Sequence, residues 1–236
     1  MVYRLSVVMI FFLTSFSPIE NKVERKLITA NTITKTTGFE AEATAVYNQL
    51  DANSFALPEV SSFTQALEGF YALKAKGVIQ KDILTLIDFS KSSNTKRLWV
   101  IDMATNTILF NSLVAHGRNT GEEFANSFSN QPQSYKSSLG FYVTGEIYNG
   151  KHGASLKLDG LEKGVNDTAR ERGVVMHAAD YVSESFIKNN HRLGRSQGCP
   201  ALPAELTQEI IQKIKNKSCL FIYHPSRAKA SQVLVL

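Results

Sequence analysis

The sequence predicts a mainly β domain with flanking helices, preceded by a helical segment on its amino-terminal side. From about residue 84 onward, short apolar runs of strand length alternate with turns, whereas one stretch near each end carries apolar residues at helical spacing. The chain has 236 residues, of which 43% are hydrophobic and 20% charged, so it can bury one sizeable core. This composition excludes disordered, collagen-like and coiled-coil architectures.

The amino-terminal segment contains one clear helix. A helix is compatible with residues 40–50, and a stronger pattern runs from Pro58 or Glu59 to about Lys76, where Gly77 provides a stop. The apolar positions that share one face of this helix are Val60, Phe63, Leu67, Phe70 and Leu73. We interpret that stripe as core and assign it no function.

The strand-rich part follows the apolar run from Ile83 to Phe89. Leu98–Ile101 and Thr107–Phe110 bracket a polar turn, which predicts a hairpin. The other candidate strands are 113–115, 140–145, 155–158, 174–176 and 219–223. A late helix is predicted over 204–217, with Pro203 suited to its first turn and with Leu206, Ile210, Ile211 and Ile214 on one face.

The first seventeen residues indicate export. Arg4 precedes an apolar run from Leu5 to Phe16, which is shorter than the roughly 20 residues needed to cross a bilayer and fits a secretory signal. We assign residues 1–17 to a signal peptide or an uncleaved anchor, 18–83 to a linker plus the helical segment, and 84–236 to the main domain. The protein is therefore expected in the periplasm or outside the cell, with a membrane contact only through such an anchor.

The charge balance is only mildly basic. Lys and Arg number 26 against 21 Asp and Glu, which gives a formal net charge of +5. Because no long basic run is present, the sequence does not indicate nucleic-acid binding. The excess lies in the last third of the chain, where it would suit an anionic polymer or a substrate carboxylate as well as an ordinary solvated surface.

A displayed cysteine is the main candidate for chemistry. Cys199 stands between Gly198 and Pro200 in a polar, basic turn, which is unlike the setting of a buried structural thiol. Nucleophilic cysteines act as thiolates, and nearby cations, a histidine and exposed backbone N–H groups favour the thiolate form. A glycine before the nucleophile also lets backbone amides approach a developing oxyanion.

Partners for this cysteine are available nearby in the sequence. His177 ends the apolar run that begins at Val174 and would meet Cys199 if that strand delivers it to the same rim. Arg192 and Arg195 lie only a few residues before the turn. These residues together suggest acyl transfer with a cysteine nucleophile.

Three other interpretations of these residues stay open. Cys199 could be a non-catalytic turn residue or could pair with Cys219, which lies in an apolar strand-like run. Zinc is disfavoured because no paired C-x-x-C and no H-E-x-x-H motif is present, so we expect no metal and no cofactor. The competent zinc ligands would be His177, Asp180, His191, Cys199 and His224. A serine hydrolase is disfavoured because the one G-x-S-x-G match, at 194–198, follows a polar segment and not the apolar strand that this motif needs.

The segment resembles the murein L,D-transpeptidase (YkuD-like) family. That family has a histidine at the end of an apolar strand, followed by a S-x-G-C turn; here these are Val174–His177 and Ser196–Cys199. The turn is most similar to the branch that reads S-x-G-C-P-A-L, which Ser196 to Leu202 match. The resemblance covers about residues 84–225, and it implies a YkuD-like β-sandwich catalytic domain over 84–236 with a helical segment before it.

The resemblance also implies roles for individual residues. Cys199 would be the nucleophile and His177 the general base, with the backbone carbonyl of Ala178 orienting the histidine. Gly198 and Cys199 would lend N–H groups to the oxyanion hole, and Ser196 would brace the turn. Many relatives place an arginine two residues after the cysteine, where this chain has alanine. We expect Arg195 or Arg192 to supply that positive charge and to bind substrate, and a surface or structural role for His191.

The implied activity is acyl transfer in the cell wall. The cysteine would attack the third residue of a peptidoglycan stem tetrapeptide, release the terminal D-alanine and pass the acyl group to an amine, forming a 3-3 cross-link. Carbapenem-type β-lactams would acylate the same cysteine. If water replaces the amine, the enzyme is an L,D-carboxypeptidase. A non-catalytic peptidoglycan-binding module is the alternative from another class.

Overall fold

The computed structural model describes residues 38–227. The residues assigned to a signal or anchor, 1–17, lie outside the described residues, as does the linker up to residue 37. The helices of the described residues are α1 (38–48), α2 (Val60–Ala75), α3 (Glu184–Asn190) and α4 (Ala204–Ile214). The strands are β1 (Ile83–Asp88), β2 (Leu98–Asp102), β3 (Thr107–Ser112), β4 (Gly140–Gly150), β5 (Gly153–Gly160), β6 (Val175–Ala178), β7 (Ala201–Leu202) and β8 (Cys219–Tyr223).

The eight strands of the described chain form one continuous mixed sheet in the order β3-β2-β1-β8-β4-β5-β6-β7. Two pairings are parallel, β1 with β8 and β6 with β7, and the others are antiparallel. The predicted mainly β architecture with flanking helices is confirmed. The strands of the expected β-sandwich do not form two separate sheets. Each strand is hydrogen-bonded to the next within a single sheet.

The predicted hairpin forms from β2 and β3. Its strands pair antiparallel from Leu98 opposite Ser112 to Asp102 opposite Thr107. Asn106 in the connecting turn has φ 53°, a left-handed conformation that asparagine tolerates better than most residues. Residues 113–115, which were predicted as a strand, form only an isolated bridge between Ala115 and Ala201.

The strong amino-terminal helix lies where the apolar spacing predicts it. α2 begins after Glu59 and ends at Ala75, before Gly77, whose φ of +68° only glycine adopts without strain. Its inner face packs directly on the sheet, because a Cβ on Gly69 would meet the ring of Phe141 in β4 at 2.0 Å. Glycine at this position therefore sets how closely the helix approaches the sheet.

The core lies between the sheet and its helices. α4 contributes Ile210, Ile211 and Ile214, all fully buried, to the same apolar cluster as Leu158 of β5 and Ile222 of β8. Glu40 onward forms one compact unit, so the described helices on the amino-terminal side pack with the strands that follow them. None of the helices in residues 38–227 is long and apolar enough to span a bilayer.

Candidate active site

A cleft of about 600 Å³ opens where the β4–β5 hairpin, the start of β6 and the turn before β7 meet. Cys199 and His177 both line it, although 22 residues separate them in the chain. Parallel pairing of β6 with β7 places His177 opposite Ala201, and this register brings the turn before β7 alongside the start of β6. The sheet itself therefore brings the two sequence-predicted residues to one site.

The turn that carries the cysteine is closed by the hydroxyl of Ser196. This oxygen accepts a hydrogen bond from the Gly198 N–H at 3.0 Å and donates one to the Cys199 carbonyl at 2.6 Å. Gly198 has φ +121°, and a Cβ there would lie 2.8 Å from the Lys136 carbonyl oxygen. Glycine is required both for the backbone conformation and for the close approach of a neighbouring chain segment.

One expected oxyanion donor is corrected by this geometry. The Gly198 N–H cannot serve an oxyanion while it donates to the buried hydroxyl of Ser196. The Cys199 N–H, in contrast, has no hydrogen-bond partner within residues 38–227. Of the two expected donors, only the Cys199 N–H is therefore available to an oxyanion, and Gly198 contributes through its shape.

The Cys199 sulfur is held against the strand that delivers the histidine. The Val175 N–H donates to Sγ at 3.4 Å, and the thiol donates weakly to the Gly173 carbonyl, with a separation of 3.7 Å. Burial raises the pKa of the Cys199 thiol, while the Val175 N–H and the charge of Arg172 act in the opposite direction. The resting group is thus a protonated thiol, contrary to the thiolate that the basic sequence context suggests.

His177 is buried in β6, with 3% of its surface exposed. Its Nδ1–H donates to the Ala178 carbonyl at 2.8 Å, which fixes the ring and leaves Nε2 as the basic nitrogen. Burial lowers the pKa of His177, the hydrogen bond to Ala178 raises it, and the nearby His152 lowers it further. At neutral pH the ring is uncharged and able to accept a proton.

A second histidine covers the first. The rings of His152 and His177 stack with their centroids 4.4 Å apart and an interplanar angle of 20°. His152 lies in the turn between β4 and β5, so the hairpin reaches over the base. No local sequence pattern indicates this contact, because the two histidines are 25 residues apart in the chain.

The two arginines expected to bind substrate are engaged elsewhere. Arg195 donates through its NH1 group to Glu122 at 2.7 Å and to the carbonyls of Arg118 and Gly121. Arg192 pairs with the other carboxylate oxygen of Glu122 at 3.0 Å. Arg195 reaches the rim of the cleft and Arg192 does not line it. The two arginines thus share the single carboxylate of Glu122 as their counter-ion, and neither is the unpaired positive charge that the sequence suggests.

The positive charge beside the thiol belongs to Arg172, which no local sequence pattern indicates. It lines the cleft just before β6, and its charge favours the Cys199 thiolate. It is 27 residues from the cysteine and is fixed by loop residues 129–138, so only tertiary structure shows the contact.

The remaining candidates do not form a metal centre. Within residues 38–227, no group of three or more His, Cys, Asp and Glu side chains could hold a metal ion. His191 ends α3 in a left-handed conformation with φ 60°, on the surface, and His224 contacts the Ser226 hydroxyl. Both cysteines are free, and Cys219 is fully buried in β8.

Comparison with known proteins identifies a family. The sequence profile of the L,D-transpeptidase catalytic domain matches residues 57–223, which is more than two thirds of the chain. The match begins three residues before α2 and therefore includes this helix, whereas the resemblance seen in the sequence began only near the first strand. No curated protein sequence matches the chain.

Solved structures give distant similarities. An L,D-transpeptidase from Mycobacterium smegmatis aligns at 10% identity with a TM-score of 0.39, covering 61% of this chain and 59% of that one. The LD transpeptidase LdtMt1 in complex with imipenem aligns at 12% identity and a TM-score of 0.37, with 60% and 59% covered. Pgp2 (K307A mutant), a helical cell shape determining protein from Campylobacter jejuni, aligns at 15% identity and a TM-score of 0.42, with 64% and 50% covered. The chain thus spans between half and three fifths of these proteins.

Proposed function

Since this chain belongs to the L,D-transpeptidase catalytic domain family, we propose that it is a cysteine-dependent L,D-transpeptidase of the bacterial cell wall. The observation that carries the proposal is the placement of Cys199 and His177 on one cleft, with the imidazole held through Nδ1 so that Nε2 is the basic nitrogen. A nucleophile and an oriented base in one cleft are what a thiol acyl transferase needs.

The first half-reaction makes a thioester. His177 Nε2 takes the thiol proton, and the sulfur attacks the carbonyl carbon of the third residue of a stem tetrapeptide. The oxyanion that forms accepts a hydrogen bond from the Cys199 N–H, which has no other partner in the described chain. The C–N bond to the terminal D-alanine then breaks, His177 returns the proton to the leaving amine, and D-alanine departs.

The second half-reaction consumes the thioester. A side-chain amine of a neighbouring stem loses a proton to His177 and attacks the thioester carbonyl. The C–S bond breaks, a 3-3 cross-link forms and the thiol is regenerated. Water in place of the amine would release a tripeptide instead, which is L,D-carboxypeptidase activity. The partition depends on whether the bound acceptor excludes water from the cleft.

The charge of the cleft suits an anionic peptide. Among the described residues, no Asp or Glu lines the cleft, whereas Lys151 and Arg172 both line it. A stem peptide carries carboxylates, including the carboxylate of the D-alanine that is released. A positively charged cleft would attract such a substrate and orient it.

Export and inhibition complete the proposal. An apolar segment at residues 5–16 would direct the protein to the periplasm or the cell exterior, where its substrate is found. Carbapenem-type β-lactams are expected to acylate Cys199, and the imipenem complex of LdtMt1 supports this expectation.

The test is product analysis by mass spectrometry after the purified full chain is incubated with disaccharide tetrapeptides. D-alanine and 3-3 dimers are expected with the wild type and with Cys219→Ala, but not with Cys199→Ala. Cys219→Ala is the matched control because it removes the other cysteine, which is buried away from the cleft. Tripeptide without dimers would reassign the protein as an L,D-carboxypeptidase, and tetrapeptide binding without a thioester mass would leave a binding module.

A further inference from the structure

Arg172 has an unusual set of partners. Its NH1 group donates to the Ser129 carbonyl at 3.0 Å and to the Ser138 hydroxyl at 2.6 Å. Its NH2 group donates to the Ser134 hydroxyl at 3.3 Å and to the Lys136 carbonyl at 2.8 Å. All four acceptors are neutral, and no carboxylate pairs with this guanidinium in the described chain. The side chain is therefore fixed in position while its charge is not neutralised.

The fixed charge lies against the turn that carries the nucleophile. The NH2 nitrogen of Arg172 is 3.6 Å from the point that a Cβ on Gly198 would occupy. The same loop that holds the arginine also holds the turn, because the Ser137 hydroxyl donates to the Gly198 carbonyl at 3.2 Å. Arginine, loop and turn thus form one connected, rigid unit.

The other charged groups around the sulfur differ from Arg172. Arg195 shares the Glu122 carboxylate with Arg192 as its counter-ion, and Lys151 and His152 are exposed on the β4–β5 hairpin. His177 is uncharged at neutral pH and takes the thiol proton, and burial raises the pKa of Tyr181 to about 12, so this phenol is neutral too. Tyr135 and Tyr148 complete the titratable lining. Arg172 is thus the one cation in the described cleft that is both fixed and without a counter-ion.

We propose that Arg172 is a positioning residue of the reaction, whose locked guanidinium holds a positive charge beside Cys199 and stabilises the sulfur anion formed when His177 takes the thiol proton. It fills the role that the sequence had suggested for Arg192 or Arg195. All four hydrogens on the two terminal nitrogens of Arg172 donate to the loop, so they are not free to bind a ligand. The residue therefore acts through its charge. The inference rests on the proposed function of Cys199 as the nucleophile.

Alkylation by iodoacetamide measures the sulfur anion without any wall substrate. The thiolate forms a C–S bond and iodide leaves, so the rate as a function of pH gives the pKa of Cys199. The full chain is compared with Arg172→Gln, which removes the charge, and with Arg172→Lys, which keeps it but loses the planar hydrogen-bonding fork. Arg170→Gln is the matched control, because this variant also loses one positive charge, two residues away in the chain. Arg170 pairs with Asp159 and Glu146 outside the cleft. Peptide mass spectrometry separates adducts of Cys199 from those of Cys219.

Arg172→Gln is expected to raise the pKa of Cys199 by about one unit, a tenfold loss of alkylation rate below that pKa, because an opposite charge this near shifts a pKa by about one to three units. Arg172→Lys retains most of the wild-type reactivity, and Arg170→Gln retains all of it. An unchanged profile in folded Arg172→Gln, or an equal loss in Arg172→Lys, would overturn the proposal.

A wild-type measurement covers the case in which Arg172→Gln does not fold. Raising the salt concentration from 0.05 to 1 M shortens the Debye length to about 3 Å and screens this half-exposed charge in part. The pKa of Cys199 should then rise, by less than in Arg172→Gln, and a pKa that falls with added salt would refute the role of the charge. Because the thiol is read directly, a wild type without transpeptidation but with an Arg172-dependent thiol would reject only the proposed function.

Discussion

Replacing Ser196 with alanine removes the hydroxyl that closes the nucleophile turn. The change deletes an acceptor for the buried Gly198 N–H and a donor to the Cys199 carbonyl while leaving the backbone intact. A buried donor without a partner costs about 1–3 kcal/mol, and the loss of the second hydrogen bond costs about 0.5–1.5 kcal/mol. The free energy of unfolding should therefore fall by about 1.5–4.5 kcal/mol.

Urea unfolding followed by circular dichroism measures this loss. With an m-value of about 2 kcal/mol/M, the midpoint should fall by about 1–2 M. Turnover of the tetrapeptide should fall as well, because a loosened turn no longer holds the Cys199 N–H and sulfur together. Ser155→Ala is the matched control: this serine also lines the cleft, yet its hydroxyl makes a single hydrogen bond, to the Gly153 carbonyl, worth about 0.5–1.5 kcal/mol. A Ser196→Ala protein with a loss no greater than that of Ser155→Ala would refute the argument.

Two further predictions concern the base and the turn. Because burial holds the pKa of His177 below 6.5, kcat/KM should keep its full value at pH 7 and fall only as the pH drops through that lowered pKa, where the imidazolium can no longer accept a proton. His152→Ala removes both the stacked ring and its charge repulsion, so the acidic limb of the pH profile should move to higher pH; an unmoved limb would contradict this reading. Gly198→Ala should abolish measurable turnover and lower stability by about 1–3 kcal/mol or more, since φ is +121° and the new Cβ would lie 2.8 Å from a carbonyl oxygen. Gly164→Ala, at φ +76° with open space around it, should cost only about 1–2 kcal/mol and leave turnover intact, and equal turnover in the two variants would show that the turn tolerates a side chain.

Apolar periodicity predicts the long elements of this fold well. α2 begins one or two residues after the predicted start and ends one residue before the predicted end, since its buried stripe repeats at helical spacing. Val60, which the pattern places in that stripe, is 48% exposed because it is the first residue of the helix. The late helix starts as predicted at Ala204 but ends at Ile214, because Asn216 and Lys217 take left-handed conformations and their N–H groups bond to β4 residues. α3 was not predicted, and it has no buried residues, so no apolar stripe could indicate it.

Some residues of the site can be predicted from local sequence patterns, and others only from the tertiary structure. Cys199 and His177, the proposed nucleophile and base, lie in a turn and at a strand end, which are local patterns. The pairing of Arg192 and Arg195 with Glu122 and the contact of Arg172 with the nucleophile turn join segments 27 to 73 residues apart. Nearness in sequence cannot show these contacts, because a charge acts through space and the partner of each cation is fixed by the fold.

Under the proposed function, the two shifted groups of the cleft would keep the site inactive without substrate. Burial raises the pKa of Cys199 and lowers the pKa of His177, so both shifts favour the neutral pair of thiol and imidazole over the ion pair. A neutral thiol is a weak nucleophile, so the proposed enzyme would resist unproductive acylation and oxidation in its free form. In the proposed mechanism the proton moves to His177 when the sulfur attacks, and the interactions of the new anions with the Arg172 charge and the Cys199 N–H then become stronger. Their stabilisation is therefore expressed in the transition state more than in the resting enzyme, which is the condition for it to raise the rate.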